Sequence, residues 1–257
     1  MIPVADNLHG LDPVVSQAMK KLDPVPIRDF VMRLEKSGAQ MIDINPGYLP
    51  KRLEDRMSFL VETVQDATSM GLILDSPNPR LIELGLSVCK EKPIINSISL
   101  EKVKLAGILP LAADNECDLV ILLMNEDSFT PPSVEEKISL ALEINEYCSA
   151  AGIPLERLIF DPVLPNLSWD DSWRRIGEAV KTIRLLSTGA VFDEPVRTMV
   201  GLSNLRSGSR KHQPIDIDLT SLALLAGAGL DYALVDSFEL RVMETLKLIN
   251  KMESRSA

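Results

Sequence analysis

Histidine is almost missing from this chain: only His9 and His212 occur among its 257 residues. Neither stands in an evident triad context with Ser97 or Ser203, which excludes acyl transfer by a Ser/His/Asp set. Cysteine is nearly as scarce. Cys89, Cys117 and Cys148 are far apart, with no CxxC and no Cys/His spacing. That pattern excludes a structural zinc site or a redox pair and leaves buried free thiols. No apolar stretch approaches the roughly 20 residues of a membrane span. The opening Met1–Asp6 segment lacks the basic and apolar regions of a secretory leader, so a cytoplasmic protein is expected. An excess of positive charge is missing too. Lys and Arg number 27 against 37 Asp and Glu, a formal net charge of −10. Nucleic acid is excluded as a partner, because a basic stripe supplies that affinity. No Gly-rich phosphate loop follows a strand, and Gly201–Gly208 (GLSNLRSG) matches no Walker or dinucleotide fingerprint. Lysine is absent from the predicted strand ends, which argues against Schiff-base chemistry.

What is present is a repeated alternation. Eight short apolar runs read as strands: Ile2–Ala5, Gln40–Asn45, Gly71–Asp75, Pro93–Ser97, Asp118–Met124, Arg157–Asp161, Thr198–Ser203 and Tyr232–Asp236. They are almost continuously hydrophobic, as strands of a parallel sheet covered on both faces must be. Helical patterns fall between them. Pro26 opens Ile27–Ser37, Asn78-Pro79 opens a helix to about Cys89, and Ser133 with Glu136 forms a capping box before Lys137–Ala151. Trp169–Ser187, Asp218–Gly227 and Ser237–Lys251 complete the set. Strand–helix alternation implies parallel βαβ units, and eight of them in about 250 residues imply a closed barrel. The fold class is α/β, a single (β/α)₈ TIM barrel over residues 1–257.

The polar residues are concentrated at the strand ends. Asp43, Asn45, Asp75, Asn96, Asn125, Asp161, Ser203, Asn204 and Asp236 lie at or just beyond strand C-termini, which converge on one mouth in a barrel. Helix capping accounts for any single one of them; it does not account for a polar group at nearly every strand end. A magnesium site built from Asp43, Asp75 and Asp161 is conceivable, but the interleaved carboxamides point elsewhere and no metal is expected. Alternating acceptors and donor–acceptors suit a planar heterocycle with an amino-amide edge. A carboxylate accepts from a ring N–H and an exocyclic NH₂, and a carboxamide donates and accepts together.

Six segments stand in order on successive strands: Asp43-Ile-Asn-Pro-Gly47, Leu74-Asp-Ser-Pro-Asn78, Ile95-Asn-Ser97, Leu123-Met-Asn125, Phe160-Asp-Pro162 and Gly201-Leu-Ser-Asn204. Together they resemble the pterin-binding barrels, the superfamily of dihydropteroate synthase and the folate domain of cobalamin-dependent methionine synthase. Within it the chain is most similar to the methyltetrahydrofolate:corrinoid/iron-sulfur protein methyltransferases, over essentially its whole length. The resemblance implies that Asp75, Asn96 and Asp161 hold the aminopyrimidine edge of a pterin. It implies that Asn204 lies beside N5 as the catalytic group, with Gly201 and Ser203 in the same loop and Asn125 lining the pocket nearby. It also implies tetrahydrofolate or 5-methyltetrahydrofolate as substrate, a corrinoid (cobalamin) carried by a partner protein docking over the barrel mouth, and a homodimer. No cobalamin-binding Asp-x-His-x-x-Gly stretch occurs in the chain, so the corrinoid is expected on that partner. Asp43, His9 and Gln213 are weaker site candidates. The family's Gly-Glu-Arg-Ile-Asn-Gly is here Ala5-Asp-Asn-Leu-His-Gly10, so that Asp6 replaces Glu and His9 replaces Asn. His9 is a proton-relay candidate, because histidine titrates near neutrality; the plainer reading is a loop histidine bonded locally. Gln213 precedes Pro214 where the family often has Arg, with Arg210 and Lys211 close by. Two alternatives stay open: a dihydropteroate synthase-like enzyme, and a non-catalytic folate-binding or corrinoid-docking subunit.

Overall fold

The computed structural model describes residues 1–207 and 213–254. Eight parallel strands close into a barrel in sequence order. They are β1 (Ile2–Ala5), β2 (Met41–Ile44), β3 (Gly71–Asp75), β4 (Ile94–Ile98), β5 (Asp118–Leu122), β6 (Leu158–Asp161), β7 (Arg197–Gly201) and β8 (Tyr232–Val235). β1 seals the barrel, pairing with β2 on one side and with β8 from Ile2↔Tyr232 to Ala5↔Val235 on the other. The outer ring of described helices is α1 (Pro13–Lys21), α2 (Pro24–Ser37), α3 (Asp55–Ala67), α4 (Pro79–Leu86), α5 (Lys102–Asp114), α6 (Val134–Ala150), α7 (Ser172–Ser187), α8 (Asp216–Ala226) and α9 (Leu240–Glu253). The expected (β/α)₈ barrel is thus the observed one.

Strand parity decides what the barrel encloses. Successive side chains point to opposite faces. One set fills the interior: Val4, Ile73, Ile94, Val120, Ile159, Met199 and Leu234, all buried in one cluster with Met41 against it. The alternate set, including Ile42, Leu74, Ile95, Ile121 and Phe160, faces outward and is buried beneath the helices. Full burial of each such side chain contributes about 1.5–3 kcal/mol, which is why both faces are apolar. Two residues beyond the interior layer the side chain points inward again. That position holds Asp6, Asp43, Asp75, Asn96, Leu122, Asp161, Gly201 and Asp236. The apolar plug therefore ends in a polar layer at the C-terminal mouth.

Several element ends differ from expectation. α2 begins at Pro24, because Asp23 caps it through Oδ1, which accepts from the Val25 N–H at 3.1 Å. α7 begins at Ser172 and α9 at Leu240, each after a turn. β7 ends at Gly201, and Leu202–Leu205 turns away as a 3₁₀ segment. The helices α3 and α5 fill crossovers for which no helix is expected from the sequence pattern, and α1 precedes α2 in the first crossover, where one helix is expected. α3 and α5 have no side-chain cap, and α5 carries Pro110 internally.

Close approach of the β1 and β2 loops leaves no room for a side chain at Gly10. A Cβ there would lie 2.2 Å from the Pro46 carbonyl oxygen. Gly177, on the exposed side of α7, has nothing within 4 Å of such an atom. Gly10→Ala is expected to lower the unfolding free energy by about 1–3 kcal/mol, as overpacking does. Gly177→Ala is expected to raise it by roughly 0.5–1 kcal/mol, the helix-interior preference for alanine. Urea denaturation of the two variants checks the opposite signs.

Candidate active site

A cavity of about 770 Å³ opens at the C-terminal mouth of the barrel. Its floor is the inward-pointing polar layer, and its walls come from the loops after β1, β2 and β7. Asp43, Asp75, Asn96, Asp161, Gly201, Ser203, Asn204 and His9 all line it, as do Asp6, Asn7, Asn45 and Asp236. Two predicted residues are not brought there. Asn125 is spent on the loop after β5, where its Oδ1 accepts from the backbone N–H groups of Asp127 at 3.1 Å and Phe129 at 2.9 Å. β5 ends at Leu122, and Leu122 takes the inward place at the mouth. Gln213 is also absent from the lining. Its carbonyl accepts from Arg206, which clamps Asp218 at the start of α8. Arg210 and Lys211 lie outside the described residues.

The side chains of the ring hold one another. Asn45 Nδ2 donates to Asp75 Oδ2 at 2.6 Å, and Asn96 Nδ2 to Asp43 Oδ1 at 3.3 Å. Asn7 Nδ2 donates to Asp236 Oδ1 at 2.6 Å, while its own Oδ1 accepts from the Ser237 N–H at 2.9 Å. Asp161 Oδ1 accepts from the Val163 N–H at 2.7 Å. Asp6 and Ser203 both line the mouth, from the ends of β1 and β7. His9 forms a parallel bridge with Asn45, and its Nδ1 is buried without a partner among the described residues. A Cβ on Gly201 would lie 3.3 Å from Asn204 Nδ2, so the glycine makes room for that carboxamide. Among the described residues the Asn204 side chain has no hydrogen-bond partner, and it faces the cavity ready for one.

Burial sets the charge of this ring. Taking a carboxylate out of water disfavours its ionised form. Asp161, only 6% exposed, is pushed up to about 7 by burial, against the Val163 N–H and the Lys137 charge, which both lower it. Asp75 is pushed up to about 6 by burial, against hydrogen bonds from Asn45 and Asp43 and the charge of Lys104. Asp43 lies well above the ordinary carboxylate range through burial and then the Asp75 charge, with its bond from Asn96 opposing. Each of these two carboxyls therefore keeps its proton to a higher pH than an ordinary carboxyl does. Asp6 is raised by burial, opposed by Ser203. Near neutral pH the mouth is thus a mosaic of protonated carboxyls, ionisable carboxylates and carboxamides. It offers donors and acceptors side by side to a planar polar edge. Among the described residues no group of three or more His, Cys, Asp or Glu is placed to hold a metal ion, and no helix is long and apolar enough to cross a membrane.

Three positions escape the reading of strand ends. Asn7 orients Asp236 from the β1 loop, and Asp6 completes the layer; the parity of β1, with Ile2 and Val4 pointing inward, signals the latter. Lys137 is the third. It arrives from α6 rather than from a strand, is 1% exposed, and its Nζ donates to the Pro162 carbonyl at 2.6 Å.

Residues 12–236 match the sequence model of the family described as pterin binding enzyme. A methylcorrinoid:tetrahydrofolate methyltransferase of Eubacterium limosum is 26% identical over 238 residues, which are 92% of this chain and 85% of that protein. A methionine synthase of Mycobacterium leprae is 23% identical over 241 residues, 91% of this chain but 20% of the relative's length. Among solved structures, Xanthomonas albilineans dihydropteroate synthase with 4-aminobenzoic acid superposes with a TM-score of 0.72. It covers 100% of this chain and 93% of the other at 17% identity, a likeness of fold.

The raised Asp161 carboxyl has a consequence for stability. Its folded-state value of about 7 exceeds its ordinary 3.8, so the native state binds the proton more tightly than the unfolded chain does. The stabilisation from that proton is complete below about pH 4 and is lost as pH rises through 7. Asp161→Asn removes the ionisation and is expected to be more stable than wild type at pH 8, by on the order of a few kcal/mol of unfolding free energy, and so to unfold at a higher temperature. The difference should shrink towards pH 4. Thermal scans at both pH values check this; a variant less stable than wild type at pH 8 contradicts it.

Proposed function

Starting from the fact that this chain belongs to the pterin-binding enzyme family, we propose that it moves a methyl group between N5 of tetrahydrofolate and the cobalt of a corrinoid carried by another protein. The observation that carries this choice is the charge of the mouth. Asp6, Asp43, Asp75, Asp161 and Asp236 line it. A substrate that loses pyrophosphate needs cations at its leaving group, whereas a pterin needs acceptors for its N–H edge. The extended match to the Eubacterium limosum methyltransferase supports the same reading.

In this assignment Asp161, as a carboxylate, accepts from the pterin ring N–H and exocyclic NH₂, and Asn96 and Asp75 take the remaining groups of the edge. Methyl transfer needs positive character on N5, because a neutral amine is a poor leaving group. When N5 is protonated, the methyl passes to the reduced cobalt, and the electron pair of the broken C–N bond remains on N5. Cobalt supplies the pair for the new bond. Asn204 cannot furnish the proton, since a carboxamide has none to give at neutral pH. Its oxygen accepts from the N5–H of the cation and so stabilises the charge as it develops. Asp6, whose carboxyl burial raises and which lines the mouth with Asn204, is a source of the proton. The open mouth leaves the methyl accessible to a corrinoid protein seated over it.

Mixing the protein with methyltetrahydrofolate and cob(I)alamin tests the proposal: the cob(I)alamin absorption should give way to that of methylcobalamin. Turnover of a pterin pyrophosphate with p-aminobenzoate, and none with methylfolate, would overturn it in favour of a synthase. Asp75→Ala, Asn96→Ala and Asp161→Ala should each weaken folate binding roughly ten- to a hundredfold, as loss of a charged hydrogen bond does. Asn204→Ala should slow single-turnover transfer by on the order of 10²–10³, the range for losing one preorganised stabilising group, with a much smaller change in folate affinity. If Asn204 merely shaped the turn, the variant would lose about 1 kcal/mol of stability and keep its rate. Stopped-flow and calorimetry on one preparation separate the two outcomes.

A further inference from the structure

Lys137 is a buried ionisable group for which the proposed reaction has no use. At 1% exposure, its ammonium is tolerated only if its charge is met inside the protein. α6 turns it inward because positions 134, 137, 141, 144 and 148 share one face, on which Val134, Ala141, Ile144 and Cys148 are also buried. A lysine thus occupies the apolar stripe of a helix, directed at the end of β6. Its Nζ donates to the carbonyl of Pro162, the residue after Asp161. The carboxylate grips the other side of the same turn, because Asp161 Oδ1 accepts from the Val163 N–H. Val163 has a φ of 56°, a conformation that a β-branched residue keeps only when its surroundings impose it.

The charged groups facing this ammonium are Asp161 from β6, and Arg175 and Glu178 from α7. Arg175 is engaged with Asp171 at 2.9 Å and the Thr130 carbonyl at 3.0 Å. Glu178 accepts from Lys181 at 2.8 Å and from the Val134 N–H at 3.2 Å. Both α7 groups are therefore tied to partners of their own, and Asp161 is left as the acid on which Lys137 acts. Burial brings Lys137 down to about 8. Its charge in turn lowers Asp161, which burial alone would hold higher still.

We propose that Lys137 is a positioning residue for Asp161: it shapes the Asp161–Val163 turn through the Pro162 carbonyl and supplies the buried positive charge against which Asp161 meets a pterin as a carboxylate. This rests on the pterin reading of the site and gives Lys137 no contact with the ligand.

The test compares wild type, Lys137→Met and Lys137→Arg. Carbon-13 NMR follows the Asp161 carboxyl in the ligand-free protein, its resonance identified with Asp161→Asn, and calorimetry follows tetrahydrofolate binding from pH 5.5 to 9. Lys137→Met should move the Asp161 midpoint up by about one unit and weaken binding at pH 7 about tenfold, with recovery towards pH 9. Lys137→Arg should keep both near wild type. A part played in packing alone would lower affinity equally at every pH. An unmoved Asp161 midpoint, or a pH-independent loss, overturns the proposal. If Lys137→Met does not fold, Lys137→Gln keeps a donor for Pro162 without the charge, and the same upward shift is expected. Should wild type bind no tetrahydrofolate, the pterin reading itself falls and takes this role with it. That outcome is distinct from tight binding with an unmoved midpoint.

Discussion

Closure of eight parallel strands forces every inward-pointing side chain at their carboxyl ends into a single ring, and the apolar layers beneath deny that ring water from below. Strand parity then chooses its members. Val4, Ile73, Ile94 and Ile159 lie in the interior cluster, and two residues on, the same face presents Asp6, Asp75, Asn96 and Asp161 to the mouth. The rest of the site follows from this. The β7 strand stops at Gly201 so that the 3₁₀ turn carrying Ser203 and Asn204 can fold back over the ring. The β1 and β2 loops close one side through the contact of Gly10 with Pro46.

Crowding carboxyls in a poorly solvated ring is costly, and the structure distributes that cost through hydrogen bonds. Carboxamides donate to Asp43 and Asp75, and burial holds both carboxyls above the ordinary range. Asp161 receives a backbone N–H and feels a lysine behind it. Such a ring is stable when protonated and most useful when ionised. A ligand with fixed N–H donors resolves the tension by supplying, at the moment of binding, the partners that water no longer provides. Selection for donors follows from the same electrostatics, since an anionic edge would meet five aspartates.

Much of this was legible in the sequence because strand ends advertise themselves. The runs ending at Asp75 and Asp161 stop where hydrophobicity stops, and the polar residue takes the inward phase. Asn125 misled for the converse reason. Leu123 and Met124 extend the apolar run past the true end of β5 at Leu122, which places Asn125 in a loop that it caps itself. Helices α3 and α5 lack capping side chains, and Pro110 reads as a breaker although α5 continues through it. α1 does carry the Asp12-Pro13 start signal, but it spans only nine residues. Lys137 could not emerge from a search of strand ends. Its signal is a lysine in phase with the buried stripe of α6, visible only when that helix is read as a face.

The central claim is that a donor-edged pterin ionises a carboxyl which the barrel holds protonated. Calorimetric titration of tetrahydrofolate at pH 6, in two buffers of different ionisation enthalpy, measures this most directly. With Asp161 near 7 in the free protein, its ionisation on binding should release about one proton per site, and Asp161→Asn should remove that contribution. Tight binding with no proton released, or no binding at all, would contradict the account.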